Sequence, residues 1–579
     1  MLQIAKNIFY EIDFVKRTAF LIAFLSLISQ LVALIRDRIF ASEFGPSRIL
    51  DIYYVSFNIP DLIYTILFSL ISSITLVPIF SQVLEKGNWE KVHKVFSTFL
   101  NMFLIFIIPI SVLIYFFMVE IVNLSLPGFS VVDKMQVISL SRIILLQPIF
   151  LGLSALISSL AQTENKFLAF SFAPIVYNLG IIFGTIYFYP IFGIIGLGYG
   201  VALGAILHLI IQSIYLFRAW HHGIFSYTPE IIWSEVWNLL KLSYWRVLGF
   251  VMTNIRTIAT VFFASSFGVG AISYFKIANN LAEIFFTLIA VSYTVAAFPS
   301  LSKLFEEKRL GEFENMVIKG LNYLFFWCIP IMSYVIIMRA HIIRIILGAG
   351  AIDWEKTKIL AIFLAILILG LSLQSFIYFI SRICYAQRNT FVPFISQTTS
   401  TVIMIIFIYV INKFLPFLYA NYFANFNIIF NILKIPEINT LEKVQLFILP
   451  ISFIFLRLLE FTIMLVSVQV QKLFDFRKIS WFNKTIRDTC FSSVILFLAL
   501  YLFLRIFEPI LDINIAGNQT LPGLFLQTIL TSVFGFIIWY GVLRCLKNEE
   551  ILSFEKHIRE KIWQKRFSKT PSDINLGEI

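Results

Sequence analysis

Apolar runs long enough to cross a bilayer recur along this chain from Thr18 to Leu546. A helix needs about 20 apolar residues to span the hydrocarbon core, and about fourteen stretches have that length. Their cores are 18–36, 52–80, 95–119, 137–161, 168–188, 193–217, 245–267, 270–300, 320–346, 358–383, 391–412, 444–470, 488–506 and 523–545. Soluble domains carry about 25% charged residues. Here 13% of the 579 residues are charged, 59% are apolar, and the mean hydropathy is +0.88. A β-barrel would need alternating segments of about ten residues, and none is seen. The expected fold is an all-α polytopic membrane protein with about fourteen transmembrane helices. Lys16 and Arg17 lead straight into a full-length span, so the N-terminus does not read as a cleavable signal.

Cation placement sets the expected orientation. With Lys6, Lys16 and Arg17 in the cytoplasm, the even-numbered connections fall inside. They carry Lys86, Lys91 and Lys94, then Lys166, Arg218, Lys303, Lys308, Arg309, Arg388, Lys472, Arg477, Lys478 and Lys484. The tail adds Lys556, Arg559, Lys561, Lys565 and Arg566. Most odd-numbered connections are poor in cations. Around 347–358, Lys356 and Lys358 are offset by Asp353 and Glu355; in 413–443, Lys413, Lys434 and Lys443 are partly offset by Glu437 and Glu442. Both termini are expected inside. The net charge of +12 then belongs to loops facing anionic lipid rather than to nucleic-acid binding.

The chain also repeats itself. FASEFG at 40–45 returns as FASSFG at 263–268. A two-residue shift then pairs Asn58 with Asn279, Pro78 with Pro299, Glu85 with Glu306, Asn101 with Asn322, and Ile108-Pro109-Ile110 with Ile329-Pro330-Ile331. After a four-residue shift, Ala161-Gln162 meets Ala386-Gln387. Polar residues and prolines matching inside spans point to two six-span lobes. An even number of spans per lobe makes the repeat parallel, with a pseudo-two-fold axis along the membrane normal. The expected division is an N-terminal lobe at 1–222, a C-terminal lobe at 223–472, two extra helices at 473–546 and a cytoplasmic tail at 547–579. Gly45 and Gly268 would permit the tight turn after each lobe's first helix. Two such lobes with a cleft between them suit alternating access around a midplane site.

Ionisable residues inside spans are costly and therefore functional candidates. The densest set is Arg36, Asp37 and Arg38 at the end of span 1, with Asp51 and Asp61 bracketing the start of span 2. Arg36 and Asp37 are adjacent, so they are expected to point apart rather than to pair. A guanidinium facing the cleft suits phosphate; the competing reading is a structural ion pair of Arg36 or Arg38 with Asp51. In span 8, Lys276 and Glu283 share a helical face, with Asn279 and Asn280 between them, as a cavity lining or as interhelical hydrogen bonds. Arg256 is a further cavity candidate in span 7. Arg457 and Glu460 are spaced to satisfy one another. Pro60, Pro109 and Pro330 are hinge candidates, or static kinks.

Enzyme signatures are missing: no Walker loop, GxSxG or HExxH occurs. The six histidines and four cysteines show no metal or disulfide spacing, and no metal or cofactor is expected. Residues from about 568 read as disordered.

Several of these residues fall in a familiar order. Ile35-Arg36-Asp37 is followed by Phe44-Gly45, Asp51, Pro60-Asp61-Leu62 and Val77-Pro78-Ile79. Further on come Leu126-Pro127-Gly128-Phe129, Asn165 to Phe167, Phe172-Ala173-Pro174 and Phe298-Pro299-Ser300-Leu301-Ser302-Lys303. In this the chain resembles the MurJ/MviN lipid II flippase family of the MOP exporter superfamily, from about 18 to 410 and more weakly beyond. The resemblance implies two six-helix lobes, two extra helices forming a lipid groove, and a cationic central cavity. Arg36, Asp37, Asp51 and Glu283 stand where the family has the same residue types. The family's cavity arginines in helices 1, 2 and 8 are replaced here by Gln30, Tyr64 and Asn280, so Lys276, Arg36 or Arg38 would have to take over their grip on pyrophosphate.

The expectation is a flippase, not an enzyme. It would carry undecaprenyl-pyrophosphate-linked peptidoglycan precursor (lipid II) from the inner to the outer leaflet of the bacterial inner membrane. Membrane potential or a coupled cation would drive it, and it would work as a monomer. The alternatives are a flippase for another lipid-linked oligosaccharide or a MATE-like exporter and, from another class, a transport-inactive scaffold of the cell-wall machinery. The 413–443 connection has no assigned role.

Overall fold

The computed structural model describes residues 14–71, 73–84, 89–164, 166–221, 227–348, 350–432, 441–476, 483–510, 521–553, 555–556 and 559. Lys6, Lys86, Asn165, Lys434, Glu437, Arg477, Lys478 and the tail from 560 lie outside the described residues, as does the 433–440 part of the long connection.

Among the described residues, the elements that carry the fold are all helical. The chain opens with α1 (Phe14–Glu43), α2 (Arg48–Ser56), α3 (Asn58–Ile71), α4 (Ser73–Leu84), α5 (Trp89–Ser125), α6 (Val131–Ile144), α7 (Leu146–Thr163), α8 (Leu168–Phe183), α9 (Tyr189–Phe192) and α10 (Ile194–His221). It continues with α11 (Trp233–Ala264), α12 (Ala271–Phe286), α13 (Ser292–Glu306), α14 (Leu310–Leu347), α15 (Trp354–Ala386), α16 (Phe391–Ile432), α17 (Leu441–Leu446), α18 (Ile448–Val470), α19 (Lys484–Ile510) and α20 (Leu521–Cys545).

Among the described residues, twelve helical stretches, from Trp89–Ser125 to Pro522–Cys545, are long and apolar enough to cross a membrane. They coincide with the third to fourteenth expected spans. The first expected span lies in α1. The second is interrupted at Phe57, between α2 and α3, with Ser72, between α3 and α4, outside the described residues; neither is among the twelve. The break at Phe57 has a local cause. Pro60 stands in the first turn of α3, where its missing N–H leaves no hydrogen bond unmade. By contrast, α5 and α14 run on through Pro109 and Pro330 for 37 and 38 residues. The regular α pattern is interrupted instead by π-helical turns at Gly184–Phe188 and Thr287–Val291.

The helix ends fall into two kinds. Among the described residues, the glycines with positive φ are Gly45, Gly193, Gly268, Gly270 and Gly350. All five sit in odd-numbered connections. The other residues with positive φ are Lys308, Arg388, Lys472 and Lys547, all cations ending even-numbered spans. Each closes its helix by the same motif, in which the following N–H reaches back to a carbonyl five residues earlier: Arg309 to Leu304, Asn389 to Cys384, Leu473 to Val468 and Asn548 to Leu543, at 2.9–3.1 Å.

The chain divides into two compact units. The first comprises residues 1–279, 346–363 and 393–456; the second comprises 280–345, 364–392 and 457–579. In the first, α8 and α10 approach through glycine. A Cβ on Gly180 or Gly184 would strike the backbone of Gly204 or Gly200, the small-residue contact that lets membrane helices close up. In the second, Phe379, Leu324, Val317 and Ile380 centre a buried cluster, and the Phe379 ring fills the space beside Gly320. A second cluster joins Phe326 of α14 to Leu496, Leu500, Trp539 and Leu543 of α19 and α20. Arg457 and Glu460 pair at 2.7 Å in this unit, as their spacing predicts.

Candidate functional site

The repeated hexapeptides end α1 and α11 alike. Ser42 Oγ donates to the Ile39 carbonyl at 3.0 Å, and Ser265 Oγ donates to the Phe262 carbonyl at 2.7 Å. Each end is met by a loop from the other copy. The Gly128 N–H donates to Ser265 Oγ at 3.2 Å, and the Ala351 N–H donates to the Ser42 carbonyl at 2.8 Å. A Cβ on Gly128 would run into the Ser265 carbonyl, and one on Gly350 into that of Ser42. Each hexapeptide end is therefore held by a loop from the part of the sequence that contains the other.

Asp51 lies inside this junction and is fully buried. Its carboxylate accepts from the Gly270 N–H at 2.7 Å, the Ser273 N–H at 2.8 Å and Ser273 Oγ at 2.9 Å. These donors belong to the first turn of α12, whose dipole favours an anion there. Arg48 adds a guanidinium 3.9 Å from Asp51, 3.5 Å from Asp133 and 4.4 Å above the Phe129 ring. A buried carboxylate is tolerated only with such partners. The ion pair considered for Asp51 is thus made by Arg48, neither by Arg36 nor by Arg38. Arg38 instead donates to the Ile346 carbonyl at 3.4 Å. Beside the junction, Gly268, Tyr274, Asp353, Glu355, Glu442 and Lys443 line a cavity of about 230 Å³.

Deeper along α1, Arg36 and Asp37 do pair, contrary to the expectation from adjacency. The Asp37 carboxylate accepts from Arg36 Nε at 3.0 Å and Nη2 at 2.7 Å. Neighbouring Cβ atoms diverge on a helix, but the Arg side chain is long enough to curl back. Its remaining fork atom, Nη1, donates to Asn178 Oδ1 of α8 at 2.8 Å, and Asn178 Nδ2 donates to the Pro174 carbonyl at 3.0 Å. The guanidinium is held from two sides in a planar fork suited to anions.

A third group lies on α3. Asp61 accepts from Gln147 Nε2 of α7 at 3.4 Å, lies within electrostatic reach of Lys276 of α12, and has Tyr64 one turn further on. Among the candidates named from the sequence, the first unit thus pairs Arg36 with Asp37 and sets Lys276 within electrostatic reach of Asp61. Asn279 and Arg256 stand half-buried on α12 and α11 of that unit. Asn280 and Glu283 continue α12 into the second unit. Gln30 is exposed on α1. Sequence reasoning missed Asn178, Gln147 and Ser273. The first two are amides within apolar spans, a signal that the rule on polar intramembrane residues could have caught.

Comparison with known proteins gives consistent findings. The family described as lipid II flippase MurJ matches residues 40–424. A lipid II flippase MurJ of Thermosipho africanus is 28% identical over 378 residues, covering 64% of this chain and 74% of that protein. A solved MurJ structure in an inward closed conformation superposes with a TM-score of 0.69 at 23% identity, covering 91% of this chain and 99% of that one. An inward-facing multidrug resistance MATE transporter of the MOP superfamily gives a TM-score of 0.59 at 14% identity, over 78% of this chain and 99% of that one. At these identities the structural likenesses concern the fold alone.

Proposed function

Since this chain belongs to the MurJ family of lipid II flippases, we propose that it carries lipid II from the inner to the outer leaflet of the bacterial inner membrane for cell-wall synthesis. The observation that carries this reading is the family match across residues 40–424. The site chemistry supports it: Arg36 is fixed in an apolar span with its fork pre-ordered, and Lys276 lies within electrostatic reach of Asp61. These two cations take over the grip on pyrophosphate that Gln30, Tyr64 and Asn280 cannot supply. Two lobes, 1–222 and 223–472, rock around the cargo, with α19 and α20 outside the duplication. Membrane potential or a coupled cation drives the cycle, no chemical step is catalysed, and the unit of function is the monomer.

Both termini face the cytoplasm. Loop cations support this orientation, and so do the helix ends, where, among the described residues, positive φ falls to cations after even-numbered spans and to glycine in odd-numbered connections.

The test replaces a host's own lipid II flippase with this protein and measures surface-exposed lipid II by cleavage with an externally added enzyme. Exposure is expected to be restored, and lost again in Arg36→Ala and Lys276→Ala variants that still insert. A well-inserted wild type that exposes no lipid II would overturn the assignment and favour another lipid-linked oligosaccharide as cargo.

A further inference from the structure

A line of polar side chains runs through the first unit along α10, in a region the cargo site does not use. His208, Gln212 and Tyr215 lie at i, i+4 and i+7, on one face of that helix. Gly204, one turn before His208, leaves room for Tyr177 of α8: a Cβ there would meet the Tyr177 backbone and ring. The Tyr177 and His208 rings stand edge to face at 6.5 Å. On the α7 side, Ser154 Oγ is 2.7 Å from His208 Nδ1.

Gln212 is the telling residue. It is fully buried, and neither its Nε2 nor its Oε1 has a protein partner. Buried amides are normally satisfied by protein or by ordered water, so a position with a complete amide left over is a place for water. Its neighbour Tyr215, also buried, carries its hydroxyl beside the Glu164 carboxylate, though without hydrogen-bond geometry. Lys166 covers the Tyr215 ring at 5.0 Å. Glu164 is the surface end of the line, faced by Lys166, which forms an ion pair with it, and by His93 of α5. At the inner end, Tyr177 lies within electrostatic reach of Arg36, Asp61, Tyr53 and Tyr64. Asp61 itself is faced by Lys276, Gln147, Tyr64 and Tyr53. Among the described residues no charged side chain acts on His208, whose polar neighbours are Ser154 and Tyr177.

We propose that this line is a hydrated proton path joining the Glu164 surface to Asp61, with His208 as its relay, and that the cation coupled to transport is the proton. It deepens the flippase reading and rests on it only for the identity of the cargo. Intramembrane chains of carboxylate, histidine and water carry protons in other pumps. The step balances without further reactants. A proton arriving at one ring nitrogen of His208 is matched by one leaving the other, so the ring ends neutral with its tautomer exchanged. Gln212 and the tyrosines hold the water between titrating groups. At Asp61 the proton converts a carboxylate to an acid. The ionised carboxylate competes with a pyrophosphate for Lys276, whereas the neutral acid releases Lys276 to it. Proton occupancy and cargo occupancy thereby become linked at one ammonium group.

The experiment uses the full-length protein in liposomes with a trapped pH dye, the membrane potential clamped, and lipid II present. Proton movement and lipid II exposure are read together. Wild type is expected to move protons above protein-free liposomes, and His208→Gln and Gln212→Leu to cut that movement about tenfold or more. His208→Gln keeps a partner for Ser154, so it separates loss of relay from loss of fold. Cargo exposure without proton movement, or proton movement unchanged in both variants, overturns the path and leaves the flippase reading standing. Histidine-dependent proton movement without cargo exposure supports the path and overturns lipid II as cargo. Neither activity in inserted protein overturns both.

Discussion

Ser273 supplies two of the three hydrogen bonds accepted by the buried Asp51 carboxylate, from a position 222 residues further along the chain. The contact ties the start of span 2 to the start of span 8, corresponding points of the two sequence copies. Removing the acceptor strips the first turn of α12 of its cap. Asp51→Ala is expected to cost on the order of 2 kcal/mol and Asp51→Asn less, since an amide oxygen still accepts. Ser273→Ala should fall below both, because the Gly270 and Ser273 N–H groups remain bonded. Thermal unfolding of the detergent-solubilised variants gives the order.

Gly128→Ala and Gly350→Ala are expected to be the most damaging glycine replacements at the junction. At each, the added methyl meets a backbone carbonyl that cannot rotate away, and Gly350 also has φ +57°. Gly541→Ala, in open space on a helix, should instead stabilise by roughly 0.5–1 kcal/mol. Measured melting temperatures that rank Gly541→Ala with the other two would contradict the packing described.

Asn178 positions Arg36 without needing to touch cargo. Asn178→Leu should free one arm of the guanidinium and lower lipid II exposure several-fold, while leaving the Arg36–Asp37 pair in place. Arg36→Lys should fare worse, since a single ammonium cannot serve Asp37 and Asn178 in the same fixed fork. The cleavage assay, normalised to inserted protein, decides between a partial loss and none.

Ion pairs at two depths should behave differently. The Arg309–Glu312 contact at 2.6 Å is exposed on both sides, so Glu312→Gln should leave stability almost unchanged. Arg457–Glu460 is buried. Glu460→Ala alone should cost about 3–5 kcal/mol by stranding the guanidinium, whereas an Arg457→Met/Glu460→Leu double variant should recover most of that. Equal effects of the two single changes would show that the inner pair is wetter than its burial indicates.

Much of this was legible in the sequence. The apolar runs gave twelve of the spans found by length and composition, and FASEFG with FASSFG located two helix ends that share a serine–carbonyl bond and a left-handed glycine. How those ends are held was not legible. Nothing local links Gly128 to Ser265, because their meeting is a tertiary event between segments 137 residues apart. The Arg36–Asp37 pair was misjudged because a rule about Cβ directions ignores side-chain reach. Asn178 and Gln147 were passed over because amides in apolar helices look like packing until a charged partner is seen beside them.

The helix ends carry a consequence for how the chain is made. Lys308, Arg388, Lys472 and Lys547 occupy a backbone shape that costs an ordinary side chain roughly 1–2 kcal/mol and glycine nothing. Folding alone would place glycine there, as it does at the opposite turns. A nascent chain, however, is threaded into the bilayer before any of these turns has closed, and at that stage a lysine or arginine is a retention signal, whereas a glycine carries no information. On the orientation proposed here, the finished protein retains a small permanent strain at four turns as the residue of instructions used once, during synthesis.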